Sequence, residues 1–166
     1  LREGATPPGS TAGVALEPMV LRLQAMARSR GREVQLRQVA PVATRGHEER
    51  LERVLGHLVQ NALDATAEGG EVWLSVQRQS GQVLVEVGDS GVGMSDEFVQ
   101  TRLFRPFNST KASGMGIGSH ESLQYVRELG GQIEVDSQPG RGTVMKVLLP
   151  LFDSHAEPEL AVRNAA

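Results

Sequence analysis

Between Glu48 and Ala67 the apolar residues Leu51, Val54, Leu55, Leu58, Ala62 and Ala65 recur at helical spacing, and after the Gly69-Gly70 stop the period changes to two. Val72, Leu74 and Val76 alternate with polar residues, Ser80-Gly81 offers a tight turn, and Val83, Val85 and Val87 alternate again. A long amphipathic helix followed at once by a hairpin has an apolar face on each part, and each is covered most simply by the other. The segment therefore predicts a sheet with helices packed over it.

The flanking sequence extends this unit. Leu16 to Arg30 carries Leu16, Met19, Val20, Leu23 and Ala27 at near-helical spacing with Gly31 as a stop, and Val34, Leu36 and Val39 suit a half-buried strand ahead of Pro41. Ser95, Asp96 and Glu97 open a brief helix ending near Leu103. Phe104 to Gly118 is rich in Gly, Ser, Thr and Asn and reads as a mobile loop. Ser119 to Leu129 is helical up to Gly130-Gly131, and Ile133 with Val135, then Val144 with Val147 to Leu149, form two strands around the turn QPGRG. Residues 1–13 have linker chemistry, 14–150 form one domain, and 151–166 lack periodicity and are expected to be a flexible tail.

Composition narrows the function classes. A chain of 166 residues has room for one ordinary domain with a real core. Lys and Arg number 17 against 20 Asp and Glu and form no basic run, which argues against nucleic acid as a partner. The absence of cysteine excludes disulfides and thiolate-held zinc or iron–sulfur sites, and it fits a reducing, cytoplasmic setting. No apolar stretch approaches the roughly 20 residues of a membrane helix, so no membrane contact is expected from this segment.

Four groups of residues carry chemistry. On the long helix His57, Asn61 and Asp64 share a stripe beside the apolar face. The Asn61 amide oxygen is a neutral, hard ligand suited to a Mg²⁺ whose other positions go to water and phosphate; a buried helix-turn hydrogen bond is the alternative. Asp89 stands where the second hairpin strand runs out, followed by Gly91 and Gly93. A carboxylate there can accept from the exocyclic amine of adenine while the glycines let the base lie against backbone, although Asp-Ser-Gly is also ordinary surface-turn chemistry.

The run GMGIG, Gly114 to Gly118, opens the helix that starts near Ser119, where converging N–H groups and the helix dipole suit phosphate oxygens. It has neither the Gly-Lys-Ser/Thr ending of a Walker A loop nor the spacing of a dinucleotide fold. Lys111 is placed to meet a terminal phosphate as a point charge, or else is a solvated loop lysine. Gly140 and Gly142 bracket a tight turn, and the Thr143 hydroxyl beyond it can support Asp89 directly or through water, unless the turn is only a hairpin.

Taken in order, HLVQNALDAT, GDSGVGM, LFRPFNSTK, GMGIG and GRGT resemble the N, G1, F, G2 and G3 boxes of the catalytic ATP-binding domain of sensor histidine kinases. The superfamily also holds the ATPase domains of DNA gyrase, Hsp90 and MutL. The run from Gly114 to Thr143 further resembles the histidine kinase of the PEP-CTERM exopolysaccharide and protein-sorting system. The resemblance implies a two-layer α/β sandwich, the Bergerat ATP-binding fold, with a mixed sheet, helices on one face and a mobile ATP lid.

It also implies ATP and Mg²⁺ as cofactors and assigns the residues. Asn61 would hold the metal beside Asp64, Asp89 would meet adenine, and Gly91, Gly93 and Met94 would line the base. Phe104 and Phe107 would anchor the lid, with Lys111, Gly114, Met115, Gly116, Ile117 and Gly118 around the triphosphate and Thr143 behind Asp89. Asn61 and Lys111 stand nearest the chemistry.

Three positions depart from the family pattern: His57 where such kinases often have Asn, Ser90 after the adenine Asp, and Ser119 in place of a usual Leu. Gyrase-like members carry a water-activating Glu at the place of His57, so slow spontaneous hydrolysis is expected here. The resemblance then implies transfer of the γ-phosphoryl to a histidine. None of the four histidines fits that acceptor. His47-Glu48 is faintly similar to the acceptor motif but starts the pocket helix and lacks the following Pro. The expectation is a fragment whose partners are the dimerisation, histidine-phosphotransfer domain of the same kinase and a response-regulator receiver, the full-length protein being anchored in the inner membrane. A clamp-driving ATPase and a nucleotide-sensing module that transfers nothing are the alternatives.

Overall fold

The computed structural model describes residues 12–104 and 118–152. The elements follow in the order β1 (Ala12–Ala15), α1 (Leu16–Ser29), β2 (Gln35–Val39), β3 (Ala43–Gly46), α2 (Glu48–Ala65), β4 (Val72–Gln79), β5 (Gln82–Asp89), α3 (Asp96–Phe98), a π-helical turn Val99–Leu103, α4 (Ser119–Glu128), β6 (Gln132–Gln138) and β7 (Gly142–Phe152). Seven strands make one mixed sheet in the order β1-β3-β7-β5-β4-β2, with β6 also on β7. Only β2 and β4 run parallel; every other pairing is antiparallel. The expected α/β sandwich with helices over one sheet face is the observed fold.

The α2–hairpin unit is where the alternation places it. Leu51, Leu55 and Leu58 on α2 and Leu74, Val76, Val83, Val85 and Val87 on β4 and β5 are at most 1% exposed and share one core. Each such side chain contributes about 1.5–3 kcal/mol relative to an exposed one. Ser80 and Gly81, at φ 53° and 78°, form the two-residue primed turn that matches strand twist. α2 ends at Ala65, two residues before the sequence reading had it. Its last turn contains no basic residue, and Arg32 from the α1–β2 connection supplies one. The guanidinium donates to the carbonyls of Leu63 (3.3 Å) and Thr66 (2.8 Å), which satisfies terminal acceptors and sets positive charge at the negative end of the dipole.

Two strands, β1 and β3, were not expected. Neither four-residue segment alternates, and their extended state comes from pairing with each other and with the end of β7. β7 is long enough to have two partners on one edge, β6 along Gly142–Leu148 and β3 at Leu151 and Phe152. The strands thus reach past the expected domain limits at both ends. Ala12 and Gly13 belong to β1, and a Cβ at Gly13 would sit 2.5 Å from the Phe152 ring. The short helix after Ser95 has its expected cap, Ser95 Oγ accepting from the Phe98 N–H at 3.1 Å, but continues as a π-helical turn.

Candidate functional site

An open cleft of about 1510 Å³ runs along α2, bounded by α1, the C-terminal end of β5, the facing end of β7, Phe98 and Leu103, and the start of α4. Asn61, Asp64, Asp89, Gly93, Met94, Gly118 and Thr143 of the expected set all line it. Phe107, Lys111, Gly114, Met115, Gly116 and Ile117 lie outside the described residues.

Asp89 is the last residue of β5, 5% exposed, with Val72 opposite it on β4 and Thr143 opposite on β7. Its Oδ1 accepts the Gly91 N–H at 2.8 Å, and the Thr143 N–H also bonds the carboxyl group. Burial pushes the carboxyl pKa up from the ordinary value, opposed by these two N–H groups. Support from Thr143 therefore comes through the main chain. Its hydroxyl instead meets Ser137 Oγ at 2.7 Å.

Ser137 was missed by sequence reasoning. It continues the inward positions Ile133 and Val135 on β6, so the alternation held the signal: a polar residue in an apolar slot. Its buried hydroxyl donates to the Gly142 carbonyl (3.1 Å) and accepts the Met94 N–H (2.8 Å), which ties the loop after Asp89 to the β6–β7 turn. The same loop is held by Val92 N–H to Ala65 O at 3.1 Å, Ser90 N–H to Glu71 O at 2.9 Å, and Gly140 N–H to Val92 O at 2.7 Å.

The glycines of this loop have a different reason from the one expected. A Cβ on Gly91 would lie 2.2 Å from Ala65 O, and one on Gly93, at φ +72°, would lie 1.9 Å from Gln138 O. Both missing side chains point into the protein's own main chain, so the glycines permit the loop to pack; they do not clear space for a ligand.

On the opposite wall α2 stacks His57 and Asn61 one turn apart. The Asn61 Nδ2 is 3.1 Å from His57 Nε2, and Ser119 Oγ at the start of α4 is 3.4 Å from that same nitrogen. Asp64, a further turn along, is exposed and accepts from Gln60 Nε2 at 2.8 Å. At the α4 start, Glu121 accepts the Gly118 N–H at 2.9 Å, and that bond, with the Glu121 N–H, pulls its pKa down. His120 Nδ1 donates to the Phe104 carbonyl at 3.2 Å, which places Phe104 at the root of the connection to α4.

The donor set decides what cation the site could take. Among the described residues no three His, Cys, Asp or Glu side chains lie together to form a cage. A single amide oxygen beside an open cleft fits a hard cation that takes its other ligands from phosphate and water.

A buried carboxylate at a strand end and a helix amide line one cleft between sheet and helices. The chain belongs to the histidine kinase-, DNA gyrase B- and HSP90-like ATPase family, whose model matches residues 46–153. It is an ATP-binding domain of the kind found in sensor histidine kinases. It is 39% identical over 103 residues to the alginate biosynthesis sensor protein KinB of Pseudomonas aeruginosa, covering 61% of this chain and 17% of that protein. The catalytic domain of histidine kinase ThkA superposes with a TM-score of 0.73 at 23% identity, over 84% of this chain and 95% of that one. Full-length ShkA in complex with AMPPNP gives 0.74 at 24% identity, over 90% of this chain and 33% of that one. The chain spans less than a third of the length of the curated relatives it matches. Among the described residues no helix is long and apolar enough to cross a membrane.

Proposed function

We propose that this domain binds Mg-ATP in the cleft and delivers the γ-phosphoryl group to an imidazole nitrogen on a helical dimerisation domain of the same kinase. A response-regulator receiver would take the group next, and the whole protein would work at the cytoplasmic side of an inner membrane. The observation that carries the reading is Asp89: a carboxylate buried at the cleft, fixed by two backbone N–H groups and left facing the space a purine would fill. The ATP analogue held by ShkA is consistent with it.

Asp89 would accept the adenine amine and orient the base, with Met94, Val87 and Met145 along the apolar wall. Asn61 would hold Mg²⁺, which when bound neutralises phosphate charge. In the transfer the bond from the γ-phosphorus to its bridging oxygen breaks, ADP leaves, and the acceptor nitrogen gains the phosphoryl group. The chain's own contribution is positioning. Position 57 offers no carboxylate to activate water, and His57 is already engaged with Asn61, which favours a side-chain acceptor over hydrolysis.

The test is calorimetry of ATP with Mg²⁺, followed by incubation with radiolabelled ATP and a separately supplied dimerisation domain. Label on the supplied histidine, lost with Asp89→Asn, is the expected result. Steady phosphate release without label would select the clamp ATPase; tight binding with neither product would select a nucleotide sensor.

A further inference from the structure

An asparagine amide has two ends of nearly equal size and opposite chemistry: the oxygen can ligate a cation, and the nitrogen repels one. Something must choose which end of Asn61 faces the cleft. Its Nδ2 lies 3.1 Å from His57 Nε2, one helical turn away on the same face of α2. An amide nitrogen can only donate, so this contact requires Nε2 to present its lone pair, and the proton of a neutral imidazole must then sit on Nδ1. The Ser119 hydroxyl, 3.4 Å from the same Nε2, is able to turn its proton either way.

We infer that His57 is a positioning residue: in its Nδ1–H tautomer it accepts from Asn61 Nδ2 and so commits Asn61 Oδ1 to the cation. This rests on the reading of Asn61 as the cation ligand. It also accounts for the departure at this position. An Asn, the residue that related kinases often have there, offers a carbonyl oxygen that can accept from Asn61 in the same way, whereas an apolar residue of similar size offers nothing. His57 is thus an outer partner that orients a metal ligand, the role in which a lost hydrogen bond costs about 10–100-fold in metal affinity.

Two measurements on the whole chain test this. Long-range ¹⁵N–¹H spectra of the folded domain should show the His57 proton on Nδ1; a proton on Nε2 would mean that the imidazole donates to Asn61 Oδ1, and would overturn the inference directly. Calorimetry then compares ATP affinity with and without Mg²⁺ in wild type, His57→Leu and His57→Asn. The expected result is a roughly tenfold smaller Mg²⁺ enhancement in His57→Leu and recovery of the enhancement in His57→Asn. An equal loss with and without Mg²⁺ would make His57 merely structural. If wild type bound no ATP at all, the function proposed above would fail, while the tautomer would still report on the amide orientation. Should His57→Leu not fold, the wild-type spectrum and His57→Asn still decide.

Discussion

Around Asp89 the cleft wall is braced by main chain, with Ser90, Val92 and Gly140 each donating a backbone N–H across elements and Gly91 donating to the carboxylate itself. Around Asn61 the described contacts run between side chains, Asn61 to His57 to Ser119, at 3.1 and 3.4 Å. Backbone ties cost no side-chain entropy and fix their donors before any ligand arrives; side-chain ties can exchange partners as one does. One cleft therefore has a preformed end that recognises and an adaptable end that faces the chemistry.

The largest blow to that contrast should come from Gly93→Ala. The new methyl would have to displace the Gln138 carbonyl from a backbone held at φ +72°. Left-handed strain of about 1–2 kcal/mol adds to about 1–3 kcal/mol of overpacking. Denaturant unfolding should record a loss of about 2–5 kcal/mol, and a loss under 1 kcal/mol would mean that the loop is not braced as described.

Next is Asp89→Asn, which separates recognition from folding. ATP affinity should fall by about tenfold to a hundredfold, the range of a hydrogen bond to a charged group. Stability should change little at neutral pH, because the opposing terms are both modest. The carboxyl pKa is raised in the fold, so its favourable contribution is full below the ordinary value of 3.8 and is lost as pH rises through the folded value. Asn removes that neutral-pH cost but has one oxygen for two N–H groups. In melts, wild type should therefore lose stability relative to Asp89→Asn as pH rises through the raised pKa; the opposite slope would contradict the burial of the acid.

Ser137→Ala should cost about 1–3 kcal/mol, since it leaves the Met94 N–H and the buried Thr143 hydroxyl without their partner. It should also weaken ATP binding more than it weakens Mg²⁺ enhancement, because both orphaned groups belong to the preformed end. A calorimetric result with the reverse order would merge the two ends into one unit.

How much of this was legible in the sequence follows from what each feature depends on. α2 and the β4–β5 hairpin were readable because their apolar periodicities run for many residues and the partner face is the next element in the chain. β1 and β3 were not, because the four-residue segments AGVA and ATRG have no period; β1 is fixed by β3, and β3 by the end of β7, about a hundred residues away. Asp89 was singled out by its residue type at a strand end, and Asn61 by its residue type on a helix stripe. Their supports were less legible: Ser137 approaches only through the β6–β7 register, and His57, read as a stripe residue and a departure from the family pattern, acquires its role from the contact with Asn61. Gly91 and Gly93 were singled out as clearing space for a base, whereas their missing Cβ atoms point into main chain: sequence shows that a Cβ is missing but not what occupies its place.

The smallest expected effect sharpens the contrast from the other side. Thr66 Oγ1 is buried without a hydrogen-bond partner among the described residues, and it lies 2.8 Å from where a Cβ on Gly91 would stand, directly beneath the Asp89 loop. If the backbone ties and the Ser137 hydroxyl suffice to brace this end, the Thr66 hydroxyl contributes nothing to it and carries only a desolvation cost. Thr66→Val keeps the shape and removes that cost, so stability should rise by a few tenths to about 1 kcal/mol with ATP affinity unchanged. A drop in affinity at undiminished stability would show instead that the hydroxyl reaches the nucleotide through a bridging water, and the preformed end would then include a solvent link as well as backbone.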